Sequence, residues 1–166
     1  MTPPTESRTI TCQPTGICAW NFLLADAEGG PIGQLQFTGF FGRPIFDLEK
    51  AHYSVFSGHT LMQVHPRGFL FGGEWMEGTE PLAVAQHPFN SQSDLEIEAN
   101  GRPLLLQRNG PGFDIVFEGT ILGSVKRTHS RTKRASITCD TRVPVVLQLF
   151  CLVLALQRWR KEAYSD

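Results

Sequence analysis

Polar and apolar positions alternate along most of this chain, in short runs separated by Gly, Pro and Asn. The clearest run, Asp94 to Ala99, alternates strictly and stops at Asn100-Gly101, a dipeptide typical of two-residue β-hairpin loops. We expect Pro103 to Arg108 to be its partner strand. Similar runs from Ile17 onwards, the last being Lys133 to Cys139, predict a succession of short antiparallel strands.

The pattern changes at Val143 to Gln157, which carries no charge and is apolar on every side. A helix of this kind must be enclosed by protein or lipid. At about 1.5 Å per residue it spans roughly 22 Å, short of the ~30 Å core of a bilayer, so the sequence favours enclosure by protein. We predict a helix over about 143–162, with a long buried strand as the alternative. Five of its side chains are the expected core: Val146, Leu149, Phe150, Val153 and Leu154.

Many short strands followed by one very apolar helix predict a mainly β fold. A closed antiparallel barrel of about twelve strands around a buried C-terminal helix would bury that helix and remove the exposed sheet edges. At 166 residues and 41% hydrophobic content, one domain over 16–166 is expected. Residues 1–15 lack an apolar period and are predicted to be a flexible leader, with a short edge strand near Ile10 to Cys12.

The charge balance argues against a dedicated nucleic-acid binder, because the formal net charge is −1. The charges are unevenly distributed: residues 1–83 carry 4 Lys/Arg and 8 Asp/Glu, whereas residues 84–166 carry 11 and 8. The second part is therefore the one expected to meet an anionic surface. The N-terminal residues have no basic stretch followed by an apolar run, so no signal peptide is expected and a cytoplasmic location is favoured.

The cysteines fit a reducing compartment. None of the four forms a Cys-x-x-Cys pair, and Cys151 lies inside the apolar run, where it would act as a small hydrophobic residue. Free thiols are expected, although the spacing leaves a Cys12 to Cys18 disulfide open.

The last 45 or so residues carry motifs of a known family. Gly119-Thr120-Ile121-Leu122-Gly123 begins a strand, a basic strand follows, and Asp140-Thr141-Arg142-Val143-Pro144 leads into the apolar helix, which ends in Arg158-Trp159-Arg160. This order resembles the tubby C-terminal-like superfamily, which includes the LURP-one-related proteins and the phospholipid scramblases. The resemblance implies a twelve-stranded barrel around a buried C-terminal helix and a contact with membrane lipid.

The resemblance is nearest to the small LURP-one-like proteins. Scramblases share an acidic, calcium-binding-like segment before the helix, of which only Asp140 remains here, next to Arg142. The cysteine-rich lipidated segment of scramblases is also missing. We therefore expect no bound calcium, no other metal or cofactor, and no acyl anchor.

A cationic stretch surrounds the last predicted strand. Arg can grip phosphate with a bidentate fork, so converging cations on a barrel wall would hold an anionic headgroup. The alternative is a solvated hairpin tip, since strand alternation sends neighbouring side chains to opposite faces. The candidate headgroup residues are Lys126, Arg127, Arg131, Lys133, Arg134 and Arg142.

Other candidate sites are weaker. The carboxylates Asp94, Glu96 and Glu98 share one strand face and could bind a cation, but a solvent-facing strand gives the same alternation. Phe40-Phe41 and Trp75-Met76, each beside glycine, are candidates for exposed tips that insert into a membrane or a partner. The histidines show none of the short spacings of a metal site, and we expect them to be ordinary surface or turn residues: His52, His59, His65, His87 and His129.

No nucleophile elbow, P-loop or dinucleotide-binding fingerprint is present, so the sequence predicts no enzyme. It favours a non-enzymatic lipid-associated or adaptor domain that binds anionic phospholipid headgroups through the basic hairpin, free in the cytoplasm or peripheral at the membrane, and not transmembrane. The alternatives are a barrel that binds an apolar small molecule and a structural domain that binds a protein partner without any ligand.

Overall fold

Twelve strands and one C-terminal helix make up the computed structural model, which describes residues 5–15, 21–38, 43–48, 61–66, 73–77, 80–86, 94–99, 101–128 and 134–163. The elements, in chain order, are β1 (Ser7–Pro14), β2 (Asn21–Asp26), β3 (Pro31–Thr38), β4 (Arg43–Leu48), β5 (Leu61–Pro66), β6 (Gly73–Glu77), β7 (Glu80–Gln86), β8 (Leu95–Ala99), β9 (Arg102–Asn109), β10 (Gly112–Phe117), β11 (Thr120–Arg127), β12 (Ala135–Asp140) and α1 (Val145–Ala163).

The strands form one antiparallel sheet in which sequence neighbours are also spatial neighbours. β1 is the exception, because it pairs with β2 on one side and with β12 on the other. The prediction of a mainly β, antiparallel fold with a C-terminal helix is therefore confirmed. The Asp94 to Ala99 run and its partner are found as β8 and β9, joined by two residues that include Gly101 at φ 73°.

The prediction of a flexible leader over 1–15 is wrong for residues 7–14, which form the full strand β1 rather than a short edge strand. Ile10 and Cys12 are completely buried, and the backbone N–H of Thr141 donates to the carbonyl of Glu6 at 3.0 Å. Two apolar side chains with polar neighbours were enough to order this strand, because β2 and β12 supply both of its hydrogen-bonded edges.

A β-bulge interrupts the pairing of β10 with β11. Ile115 lies opposite Gly123, but the next residue, Val116, lies opposite Ile121, so Leu122 is the extra residue. Such an insertion reverses the alternation of the bulged strand. Leu122 therefore packs against the core while Ile121 turns outward.

The helix α1 supplies the centre of the core. The eight residues 149–156 are each between 0 and 2% exposed, although they point in all directions around the helix axis. Of the predicted core residues, Leu149, Phe150, Val153 and Leu154 are fully buried, and Val146 is partly exposed and packs against the core. An all-round apolar helix thus packs against the inward faces of several strands at once.

A turn closed by Asp140 precedes α1. The carboxylate of Asp140 accepts the backbone N–H of Arg142 at 2.8 Å and so closes the turn before the helix, instead of capping its first turn. The buried amide of Gln148 donates to the carbonyl of Val143 at 2.9 Å, which ties the helix to this turn. Gln148 Oε1 finds no partner among the described residues.

Candidate functional site: the arginine cluster at the end of the helix

The connection between β11 and β12 brings two of the predicted cations to one end of the sheet. Arg127 lies opposite Ala135 in the ladder, and the N–H of Thr128 donates to the carbonyl of Arg134 at 3.1 Å. Lys126 is exposed on the outer face, because strand alternation points it away from its neighbour Arg127.

Arg142 does not join these residues. It follows the other end of β12, where its Nη2 lies 2.5 Å from Oδ2 of Asp140 and its Nε is 3.0 Å from both carboxylate oxygens. Arg142 is 74% exposed, while Asp140 is almost fully covered. The predicted stretch is thus divided between two ends of the sheet. Arg131, Lys133 and His129 lie outside the described residues.

Arg127 stacks on the last turn of the helix. Its guanidinium carbon is 4.6 Å from the ring centroid of Trp159, a cation–π arrangement. Trp159 is 2% exposed and donates Nε1–H to the carbonyl of Pro111 at 2.8 Å, so the ring is held between α1 and the β9–β10 connection. Phe113 lies beside it at 6.0 Å between centroids.

Two more arginines meet at the same place. Arg108 donates Nη1–H to Glu162 Oε1 at 3.0 Å, and Arg158 donates Nε–H to the same oxygen at 3.2 Å. Arg108 also lies over the ring of Phe113 at 4.9 Å. We call Arg108, Arg127, Arg158, Trp159 and Glu162 the arginine cluster. It combines three guanidiniums with one carboxylate.

The electrostatics of the cluster leave Arg127 available to an anion. Burial lowers the pKa of Arg127 from its ordinary value and so does the neighbouring charge of Arg108, while Glu162 raises it. Within the described part of the chain, no residue accepts a hydrogen bond from this guanidinium, which has five N–H donors. A guanidinium fixed in orientation by an aromatic ring can offer its free edge to a phosphate or carboxylate.

No family model matches the chain, and neither the curated proteins nor the solved structures include a significant match to it.

Sequence reasoning missed four residues of the cluster. The sequence pattern marks Arg108 only as the end of a hairpin strand and Trp159 only as part of a family motif. The spacing of Arg158 and Glu162, four residues apart on a helix, is a pattern that indicates an ion pair. It did not indicate that Arg108, 54 residues from Glu162, would share the same carboxylate.

The weaker candidates do not converge on a site. Asp94 Oδ1 accepts the backbone N–H of Arg108 at 2.9 Å, so this carboxylate anchors β9. Glu96 and Glu98 stay on the solvent face of β8, and no group of His, Cys, Asp or Glu suited to a metal occurs among the described residues. Trp75-Met76 lies within β6 instead of a loop tip, whereas Phe40-Phe41 lies outside the described residues.

The thiols follow the expectation where they are described. Cys12, Cys139 and Cys151 are free and buried, so the Cys12 to Cys18 disulfide left open by the sequence is not formed. Burial raises the pKa of all three thiols, that of Cys139 to about 11. They are small core residues and not nucleophiles.

Within the described residues, no helix combines the length and the hydropathy that crossing a bilayer requires.

Proposed function

We propose that this chain is a non-enzymatic domain that binds anionic phospholipid headgroups at the end of the sheet that carries the arginine cluster. The observation that carries the proposal is Arg127, whose guanidinium is fixed on Trp159 at 4.6 Å while its N–H donors have no acceptor in the described residues. Exposed Lys126 precedes it in β11, and exposed Arg134 lies just before β12, where its carbonyl accepts the N–H of Thr128.

A phosphate would be held by geometry as well as by charge. Arg127 offers a planar fork for a bidentate contact, while Lys126 and Arg134 add attraction at longer range. A cationic residue near an anionic membrane surface contributes about 1 kcal/mol, so three of them give reversible attachment. Arg131 and Lys133 belong to the same connection in sequence and remain part of the proposed site. Arg142 is not part of the proposed site, since its guanidinium is paired with the carboxylate of Asp140.

We also propose that the sheet is a barrel, closed by the pairing of β1 with β12, and that α1 lies along its axis. This is the architecture of the tubby C-terminal-like superfamily. Its support is that β1 pairs with both β2 and β12, and that α1 is buried on all sides from 149 to 156. In such a barrel the helix side chains fill the interior. That arrangement favours a ligand at the end of the barrel over an apolar ligand inside it.

The test is cosedimentation with vesicles. Wild-type protein should bind phosphatidylcholine vesicles that contain phosphatidylserine or a phosphoinositide and should not bind vesicles of pure phosphatidylcholine. The bound protein should dissociate from the anionic vesicles as the salt concentration rises. Replacing Lys126, Arg127 and Arg134 together by Gln should abolish binding. Arg142→Gln is the matched control, because it removes one cation from the opposite end. Unchanged binding by the triple variant would refute the proposed site.

A further inference from the structure

A row of apolar side chains crosses the outer face of the sheet. In the ladders, Leu105 of β9 lies opposite Val116 of β10, and Val116 lies opposite Ile121 of β11. Glu96 of β8 lies opposite Leu105 and continues the same row. We call Leu105, Val116 and Ile121 the outer apolar row.

The row faces outward because of the β-bulge. The inward residues of β10 are Phe113 and Ile115, both buried, so Val116 points to the other face. With regular alternation throughout β11, Ile121 would share the inward face with Gly123 and Val125. The bulge instead leaves Ile121 63% exposed, with Val116 and Leu105 half-buried beside it. Exposed Ile121 and its two half-buried neighbours thus form a continuous apolar strip across three strands of the outer face.

The edges of the row are acidic. Glu98 lies opposite exposed Pro103 in the neighbouring row, and exposed Glu118 lies in the connection between β10 and β11. On the other side Asp114 lies between Gln107 and Ser124. Its carboxylate accepts a hydrogen bond from the side-chain amide of Asn109 at 2.8 Å.

Lys126 and Arg142, two described cations at β11 and β12, lie outside the row. Lys126 lies further along β11, two residues beyond Ser124 and opposite Ser136. Arg142 follows β12 and is paired with Asp140. The outer apolar row therefore has Glu96 at one end and Glu98, Glu118 and Asp114 along its sides.

We propose that the outer apolar row is the docking surface for a cationic amphipathic helix of a partner protein. Neighbouring strands are about 4.8 Å apart, so three side chains on three strands span about 10 Å. On a helix, residues i and i+7 lie on the same face about 10.5 Å apart along the axis, and residue i+3 or i+4 lies between them on that face. A helix lying across the strands thus places an apolar stripe on Leu105, Val116 and Ile121, and its flanking Lys or Arg side chains reach the acidic rim.

Charge complementarity selects this occupant over a membrane or a second copy of the chain. An anionic bilayer would be repelled by the carboxylates around the row, and a second copy would bring the same carboxylates against them. This surface shares none of its three residues with the arginine cluster or the proposed headgroup site, so variants of Ile121 leave the headgroup residues in place.

The probe for the test is a synthetic Leu/Lys peptide with leucines at helical spacing, labelled for fluorescence anisotropy. A peptide of the same composition with scrambled leucines is its control. We expect the first peptide to bind more tightly than the second, and Ile121→Lys to weaken it at least about tenfold. The double change Glu96→Lys and Glu98→Lys should weaken binding and reduce its salt dependence. Leu23→Lys is the matched control, since Leu23 is 49% exposed on β2.

Thermal unfolding will show whether the Ile121→Lys variant remains folded. If that variant is unfolded, Ile121→Thr is used in its place. Equal binding of both peptides, or full binding by the Ile121 variant, overturns the proposal. Two further results also overturn it. If wild-type protein self-associates in sedimentation and Ile121→Lys abolishes this, the row binds a second copy of the chain. If wild-type protein binds anionic vesicles and Ile121→Lys abolishes this, the row binds a membrane.

Discussion

Arg127 lies over the indole of Trp159 at 4.6 Å, and the same indole donates its N–H to the carbonyl of Pro111 at 2.8 Å. One side chain of α1 therefore joins β11 to the β9–β10 connection. Trp159→Phe should cost about 1 kcal/mol through the lost hydrogen bond and should weaken the cation–π contact as well. Arg127→Gln should cost less than about 1 kcal/mol.

Urea unfolding of both single variants and the double variant measures their coupling. Because the two residues touch, the double variant should lose less stability than the sum of the two. Arg134→Gln is the control, since Arg134 is exposed. Strictly additive losses would show that the stacking contributes no stability.

A charge inside the helix should unfold the domain. Leu149 is fully buried among apolar side chains, and an unpaired carboxylate there costs several kcal/mol, comparable with the whole stability of a domain. We expect Leu149→Asp to be insoluble or to lack a cooperative thermal transition by circular dichroism. Leu23→Asp, on an exposed site of β2, should remain folded. A folded Leu149→Asp protein would contradict the buried position of α1.

Gly123 is required by the close approach of β11 to β12. A Cβ at this position would lie 2.5 Å from the carbonyl oxygen of Thr138 and 2.7 Å from Cα of Cys139, both backbone atoms that cannot turn away. Gly123→Ala should therefore destabilise the protein by about 1–3 kcal/mol, measured by urea unfolding. Ser124→Ala, next in the strand and half-buried, should change stability much less. Equal effects of the two substitutions would argue against this strand spacing.

Asp140 should make the folding stability of the protein depend on pH in the acid range. Hydrogen bonds from Arg142 to its carboxylate lower the pKa of Asp140 below the ordinary value of 3.8. A group with a lowered pKa in the folded state stabilises above its ordinary value, and the contribution is lost as the pH falls through the lowered value. Wild type should thus exceed Asp140→Asn in stability at pH 7, and the difference should shrink below about pH 4.

Arg142→Gln checks the cause of this pH dependence. It removes the side-chain partner of Asp140 while leaving its hydrogen bond to the backbone N–H at position 142. Chemical unfolding across the acid range should show a smaller loss on acidification for this variant than for wild type. A constant difference between wild type and Asp140→Asn at every pH would contradict the assignment.

The buried thiols should be unreactive until the protein unfolds. Cys12, Cys139 and Cys151 are at most 1% exposed, and burial holds the pKa of Cys139 at about 11. In a Cys18→Ser background, a thiol reagent at pH 8 should label no cysteine of the native protein and three in denaturant. Rapid native labelling would show that the sheet opens around α1.

The main elements were predictable because their signals are local. Strict alternation and Asn100-Gly101 defined the β8–β9 hairpin, and the uncharged run defined α1, which starts two residues later than predicted, at Val145. The strand near Ile10 to Cys12 was predicted, but the full extent of β1 was not, because its order depends on β2 and β12, which a window over residues 1–15 does not include.

The sites were less predictable, since they depend on pairing between distant strands. Lys126 and Arg127 are adjacent in sequence but face opposite ways, and Arg142 lies at the far end of β12. The outward turn of Ile121 comes from one extra residue in the ladder, and strict alternation along β11 would have assigned it to the core.

The pairing of β1 with β12 also has a consequence for synthesis of the protein. The contact between the hydroxyls of Thr9 and Thr138, at 3.0 Å, joins residues 129 positions apart. At about 5–20 residues per second, a ribosome needs roughly 6–26 s to make that interval. Throughout that time the edge of β1 that pairs with β12 is unpaired, and an unpaired strand edge is a template for association with other chains.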